Sequence, residues 1–362
     1  MQPAHKVIRN LGDTERPSTK EYLMSETWYL GIDISCDTFD FALLDAQEKV
    51  LKGDRLPNTP TGFSALMDVL GSCGAAVSQL HACMEATGVY YQQLAYFLHA
   101  AGVKLSVMNP AQIHAFGKSL LRRAKTDRMD AQLIALFAIR QQPHSWVPQT
   151  DLLAELQCLT RARDELTTSI VQLKNKKHTA GHAFYAMDFL EEQRQAQLEL
   201  LERQQKDLER KIKELIQRDQ QVKQQLDSLL SLPGVGFKIA TVFLSETSLM
   251  NFESGSKLVA FAGLNPQIQE SGKYRGHASI SKKGNTRLRK AAYQAAVCSV
   301  KTQSFFSSFY KRLRAKGKPA KVAFVALAHK ILCTALAVVK QQSTYQEDFH
   351  RLHLCLPEEP TK

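Results

Sequence analysis

The stretch Ala124-Lys125-Thr126-Asp127-Arg128-Met129-Asp130-Ala131-Gln132-Leu133-Ile134-Ala135-Leu136-Phe137 decides how the first part of the chain is read. From Asp130 onward, the spacing of Leu133, Ile134 and Phe137 predicts a helix. Asp127 and Asp130 are three apart, so in a first helical turn both carboxylates project from one face. Two acids held that close repel unless a cation lies between them, and hard divalent ions prefer oxygen ligands of this kind. An acidic pair at a helix start can also be a simple cap. The segments on either side favour the metal reading.

Towards the N-terminus, Lys104 to Met108 reads as a strand closed by Asn109-Pro110, with a helix beginning at Ala111. Tyr90 to Ala101 is helical, and the apolar strand Leu80 to Gly88 ends on the carboxylate of Glu85. Pro60 to Leu70 is a short amphipathic helix. Val50-Leu51 opens a strand, Thr38 to Leu44 alternates as another, and Trp28 to Ser35 is a buried strand carrying Asp33. An acid inside a central strand is costly without a partner or a task. Strand ends in a sheet flanked by helices converge on one edge. Asp33, Glu85, Asp127 and Asp130 are therefore expected to meet and hold two metal ions about 4 Å apart, the arrangement for in-line displacement at a phosphodiester. The expected α/β domain covers residues 28–148, after a flexible arm over 1–27.

Towards the C-terminus the chain turns to long polar helix. Leu159, Leu166 and Leu173 lie seven apart, and after a break near His178 to His182 the row resumes as Leu201, Leu208, Leu215, Val222 and Leu229. Residues 149–229 are thus expected to form a coiled-coil hairpin, with Gln205 and Asp219 as polar register positions. His178 and His182, beside Gly181, make a poor metal site. Leu232-Pro233-Gly234-Val235-Gly236 then lies between two helical segments, as in a helix-hairpin-helix module whose Gly234 and Gly236 amides would hold a nucleic-acid phosphate. A tight turn between packed helices explains the same glycines equally well. The stretch from Phe261 to Arg289 is rich in glycine, hydroxyls and cations. A loop serine among Lys273, Arg275, Lys282, Lys283, Arg287 and Arg289 could approach a phosphate closely, and spacing does not choose among Ser271, Ser279 and Ser281. Helices over 288–300 and 321–339 complete a small all-α domain over 230–341, followed by a tail over 342–362.

Charge follows the same division. The 362 residues carry a net +12, yet Ser271 to Gln346 holds 16 Lys or Arg and no Asp or Glu, which leaves the remainder net negative. A surface of that kind suits a polyanion. Arg122, Arg123 and Lys125, just before the acidic pair, add cations beside the expected metal site. Seven scattered cysteines without a C-x-x-C pair point to a reducing compartment rather than a disulfide framework or zinc ribbon. No apolar core of a signal peptide precedes Thr27, and the apolar run Val322 to Val339 is broken by His329-Lys330. These features predict a cytoplasmic protein without a membrane span.

Gly31-Ile32-Asp33, Glu85-Ala86-Thr87-Gly88, Asn109-Pro110, Lys125-Thr126-Asp127 with Asp130-Ala131, the Leu232 to Gly236 turn, and Ser271-Gly272 with Lys282, Gly284-Asn285 and Leu288-Arg289 together resemble the DEDD transposases of bacterial insertion sequences, the insertion-sequence-110/1111 family. The resemblance spans Trp28 to about Val339. It implies a RuvC-like (ribonuclease-H fold) first domain and a helical transposase domain. It also implies recombination of DNA guided by a structured non-coding RNA from the element itself. In such a reading Asp33, Glu85, Asp127 and Asp130 bind Mg²⁺, which Mn²⁺ can replace. Ser271 becomes covalently joined to DNA, and complementing domains come from different subunits of a dimer to tetramer. Without the resemblance, two other readings stand: a metal-dependent endonuclease of Holliday-junction-resolvase type without a covalent intermediate, and a non-catalytic nucleic-acid scaffold.

Overall fold

In the computed structural model of the chain, the structure describes residues 27–120, 127–182, 185, 187–247, 249, 252–267, 270–271, 274–275 and 279–347. It divides into two compact units, 1–148 and 149–362.

The first unit is built on a mixed five-stranded sheet in the order β3-β2-β1-β4-β5. Strands β1 (Trp28–Ile34), β2 (Thr38–Leu44) and β3 (Val50–Pro57) form an antiparallel meander. Strands β4 (Leu80–Glu85) and β5 (Lys104–Met108) continue it in parallel beyond β1. Parallel neighbours need crossovers, and here they carry α1 (Pro60–Ser72) and α2 (Gln92–Ala100). Thr59 caps α1 by accepting from the Gly62 amide, and Pro60 sets the first helical φ. Phe63, Leu66, Leu94 and Leu98 of these helices cover one face of the sheet, against Leu30, Ile32, Phe39, Phe41 and Met84.

The opposite face belongs to α4 (Asp127–Gln141), which follows α3 (Pro110–Ser119). Ala131 to Ala138 of α4 are all buried or nearly so, a pattern for a helix enclosed on several sides rather than a simple amphipathic one. Its small residues allow unusually close approach. A Cβ built on Gly31 of β1 would stand 2.1 Å from the Ala131 carbonyl oxygen and 2.3 Å from the Ala135 amide. These are backbone atoms, so a side chain there cannot be accommodated by a rotamer change. Gly31→Ala is expected to displace α4 and cost roughly 1–3 kcal/mol, read as a lowered denaturation midpoint. An unchanged midpoint would show that α4 is not seated on Gly31.

The second unit is helical, with small strand pairs. The helices α5 (Asp151–Ala180) and α6 (Asp188–Gln217) run side by side in opposite directions. Gln205 donates to Thr167 Oγ1 at 2.7 Å, Lys174 meets Glu202, and Lys177 meets Glu191. Gln205, expected as a polar register position, makes a polar cross-link between the two helices. Asp219 does something different: its carboxylate accepts from the Gln221 and Val222 amides and starts a new helix, α7 (Gln220–Leu230). The distal seam of the pair has its own small cluster of Ile170, Leu173 and Leu198. Its base is different, because Leu156, Ile212 and Leu215 join the core shared with α8 (Phe237–Glu246), α9 (Gly255–Phe261), α10 (Thr286–Ser299), α11 (Phe305–Ala315) and α12 (Ala320–Lys340). By length and composition α12 could cross a membrane, but it is the central core helix of this unit, with Leu327, Ile331, Leu332, Ala335 and Val339 buried.

Candidate functional site

Three of the four expected acids line one cleft of about 820 Å³ in the first unit. Asp33 and Glu85 reach it from the carboxyl ends of β1 and β4, and Asp130 from the first turn of α4. Strand pairing accounts for two of them. Ile32 is the register partner of Met84, so Asp33 and Glu85 come level at the ends of neighbouring parallel strands. The close seat of α4 on Gly31 brings Asp130 to the same edge. Thr87 donates from Oγ1 to Glu85 Oε1 at 3.3 Å, which braces that carboxylate. The fourth acid, Asp127, begins α4, and its side chain lies outside the described atoms.

Carboxylate oxygens are the ligands a hard divalent ion prefers. Among the described residues, no three His, Cys, Asp or Glu side chains stand close enough together to hold a metal ion. The cleft also holds His114 and Lys118, four apart on α3 and so on one face of that helix. Sequence reading passed over both, since nothing in an isolated His-x-x-x-Lys spacing shows that it faces the acids. Arg122, Arg123 and Lys125 lie outside the described residues.

In the second unit, Ser271 is in strand β7 (Glu270–Ser271), paired with β8 (Tyr274–Arg275), with Tyr274 as the register partner of Ser271. A second ladder joins β6 (Pro266–Gln267) to β9 (Ser279–Ile280), so Ser279 is in a strand pair rather than an open loop. Ser281 follows, its amide donating to the Asn265 carbonyl. Lys273 lies outside the described residues, as does the side chain of Arg275.

Two of the residues expected to contact nucleic acid have partners within the unit. Arg287 pairs with both Glu246 and Asp164, and Arg289 donates to the Ala262 carbonyl at 2.9 Å and to Thr286 at 3.0 Å. Glu246, its side chain 1 % exposed, also receives Arg161 through two bonds of 3.1 and 3.2 Å and the Asn285 amide at 2.8 Å. Burial pushes its pKa up, but the hydrogen bonds from Arg161 and Asn285 and the charges of Arg161 and Arg287 outweigh burial and hold it below the usual carboxylate value. Arg163, also buried, donates to Thr241 and the Lys238 carbonyl nearby. This network fastens α5 to α8 and the start of α10. Glu246→Ala removes the buried carboxylate that Arg161, Arg287 and Asn285 share and is expected to cost roughly 1–3 kcal/mol in denaturant unfolding. Because the folded pKa is depressed, that stabilisation is present above the unfolded value of about 4.3 and is lost as pH falls through the folded value. A variant as stable as the parent at pH 7 would contradict this role.

The Gly-rich turn divides its labour. Gly234 has φ +87°, and a Cβ there would stand 2.5 Å from the Ser299 amide nitrogen, so it is required by conformation and by packing on α10. Gly236 has open space around it and begins α8 without a side-chain cap, on a cleft that also holds Lys213 and Lys238. Lys282, with φ +53°, and Lys283 belong to the turn that packs on the end of α9, where the Lys282 amide donates to the Gly263 carbonyl.

A transposase model of the DEDD type for IS110 matches residues 30–180, and the transposase IS116/IS110/IS902 family model matches residues 226–311. The chain belongs to the IS110 family of transposases. This IS110-family transposase is 28 % identical over 330 residues to the pilin gene-inverting protein of Moraxella bovis, covering 90 % of this chain and all of that one. It is 29 % identical over 332 residues to the pilin gene-inverting protein of Moraxella lacunata, with the same coverage. To the transposase for insertion sequence element IS1111A of Coxiella burnetii it is 25 % identical over 350 residues, 89 % of this chain and 92 % of that one. The transposase is thus a DNA recombination enzyme of an insertion sequence, and the acidic signature of its family goes with use of a divalent metal.

Proposed function

We propose that the transposase cleaves and rejoins DNA with a serine nucleophile at a Mg²⁺ site, guided by a non-coding RNA encoded by its own element. The observation that carries the metal half is the convergence of Asp33, Glu85 and Asp130 from three separate elements on one cleft. Asp33, Glu85, Asp127 and Asp130 would hold the metal, which supplies charge neutralisation at the phosphate and its leaving oxygen when bound. Ser271 Oγ attacks the scissile phosphorus. A serine–phosphorus ester forms, the bond from phosphorus to the leaving sugar oxygen breaks, and the hydroxyl proton passes to solvent as the leaving oxygen takes one up. Rejoining reverses the exchange with a new sugar hydroxyl, which conserves the phosphodiester bond energy. The topology of the first unit, a meander followed by two parallel strands with α4 across one face, supports the RuvC-like, ribonuclease-H assignment. The antiparallel α5–α6 pair with its apolar seam supports a coiled-coil hairpin and assembly as a dimer to tetramer.

RNA guidance rests on the family resemblance, because charge does not distinguish RNA from DNA. Strand transfer by the purified protein is expected only when RNA transcribed from the element's flanks is added. Equal transfer after ribonuclease treatment would contradict guidance. The acid-free basic third contributes phosphate contacts. If about six to ten of its cations engage, nucleic-acid affinity is expected to fall by roughly 10³–10⁵ between 50 and 200 mM salt. A flat response would place the nucleic acid elsewhere. The six described cysteines are all free, which supports a cytoplasmic location, where the element's DNA resides. The whole-length likeness to two pilin gene-inverting proteins supports inversion as an alternative product of the same chemistry.

A further inference from the structure

The cleft that gathers the acids also holds a cation, Lys118 of α3, to which the four expected ligands give no task. Its place follows from how α3 sits on α4. Ile113 joins Leu133, Ile134 and Phe137 in one apolar cluster, and the rings of Phe116 and Phe137 meet edge to face, centroids 5.4 Å apart. A Cβ built on Gly117 would stand 2.8 Å from Leu133 Cδ2, so the two helices touch there. Lys118 follows Gly117 on α3, and Leu133 is one turn beyond Asp130 on α4. The contact that seats α3 thus carries Lys118 and Asp130 into one cleft.

An ammonium sharing a cleft with carboxylates is expected to pair with one of them. Lys118 is exposed and, among the described residues, forms no ion pair with Asp33, Glu85 or Asp130. The two signs of charge therefore stand in the cleft without neutralising each other. Carboxylates alone repel a phosphate, and a divalent ion held by them removes that repulsion. The phosphodiester then supplies the anion that Lys118 lacks. A lysine suits the task as a compact charge with three donors. Placed at the oxygens on which charge develops, such a donor acts chiefly on the rate of the chemical step.

We propose that Lys118 is a catalytic residue of the first unit, its ammonium binding a non-bridging oxygen of the scissile phosphate while the acids hold the metal. The inference rests on the reading of Asp33, Glu85, Asp127 and Asp130 as metal ligands and adds a protein cation to that site.

The experiment measures cleavage of element-end DNA by the full chain, together with Mn²⁺ affinity by electron paramagnetic resonance. The proteins are the parent, Lys118→Met, Lys118→Arg and Lys52→Ala. Methionine removes the charge but keeps the apolar stem and the helix propensity, and an exposed position tolerates the exchange. Lys118→Met is expected to lower kcat by roughly 10²–10³-fold, the scale of one preorganised donor. Its Mn²⁺ affinity is expected to equal or exceed the parent's, because a cation has left the cleft. Lys118→Arg, which keeps the charge, is expected to recover most of the lost rate. Lys52→Ala removes the same charge from β3, outside the lining of the cleft, and is expected to cut like the parent. The proposal is overturned if Lys118→Met cuts like the parent, or if Lys118→Arg is as slow as Lys118→Met. It is also overturned if a fall in Mn²⁺ affinity accounts for the lost activity, since Lys118 would then act on the acids and not on the phosphate. A parent that binds no Mn²⁺ would overturn the metal-site reading and this inference together. A parent that binds Mn²⁺, beside a fully active Lys118→Met, would overturn this inference alone.

Discussion

Ser271→Ala is expected to abolish the covalent protein–DNA species and reduce strand cleavage by about 10⁴-fold or more, the scale seen when a nucleophile is deleted. The serine is in β7, within the 76-residue segment that has no acidic side chain, and a phosphate bound to that segment would be surrounded by cations. RNA and DNA binding are expected to persist, because the hydroxyl supplies chemistry and little affinity. Ser279→Ala and Ser281→Ala are the matched controls. Ser279 is held in a strand pair, and the backbone of Ser281 is bonded to Asn265. Gel separation under denaturing conditions reads the adduct directly. An adduct that survives Ser271→Ala but is lost from one of the controls would move the nucleophile to that residue. Cleavage without any adduct would instead favour a resolvase-type hydrolysis.

Asp130→Ala is expected to reduce strand cleavage by roughly 10³-fold, comparable to losing one preorganised electrostatic stabiliser. It should leave the fold intact, because Asp130 is half-buried at the cleft rather than part of the α4 contact with the sheet. That contact is made by Ala131 and Ala135 on Gly31. Removing a carboxylate that faces other carboxylates also relieves repulsion, so the thermal midpoint is expected to hold or rise slightly in the absence of metal. Loss of activity with an unchanged or raised midpoint is the signature of a ligand. A lowered midpoint with modest loss of activity would mark Asp130 as a helix cap.

Much of the first unit was legible because its signals are local. The alternation of Thr38 to Leu44 and the apolar run of Trp28 to Ile34 gave strands with nearly the observed limits, and the Asn109-Pro110 pair marks the start of α3. The meeting of Asp33, Glu85 and Asp130 was legible from the rule that strand ends share an edge. Other features depend on partners far away in the chain. Asp40 reads as one polar residue in an alternating strand, and only the pairing of three strands shows that it lies between Asp33 and Arg55. Gly31 looks like an ordinary strand glycine until α4 is placed on it. The pairing of Arg287 with Glu246 and Asp164 is not legible in the sequence, because those carboxylates come from other helices. Asp219 reads in the sequence as a polar register position, and only its capping bonds to the Gln221 and Val222 amides show that a new helix starts there.

The central claim is that the acids of the first unit form a divalent metal site. Its most direct test is a crystal structure of the protein grown with Mn²⁺, with anomalous scattering used to locate the ion. The expected result is anomalous density in the cleft at about 2.1 Å from carboxylate oxygens of Asp33, Glu85, Asp127 or Asp130. An ion bound elsewhere, or Asp33 and Glu85 turned away from the first turn of α4 with Mn²⁺ present in excess, would contradict it.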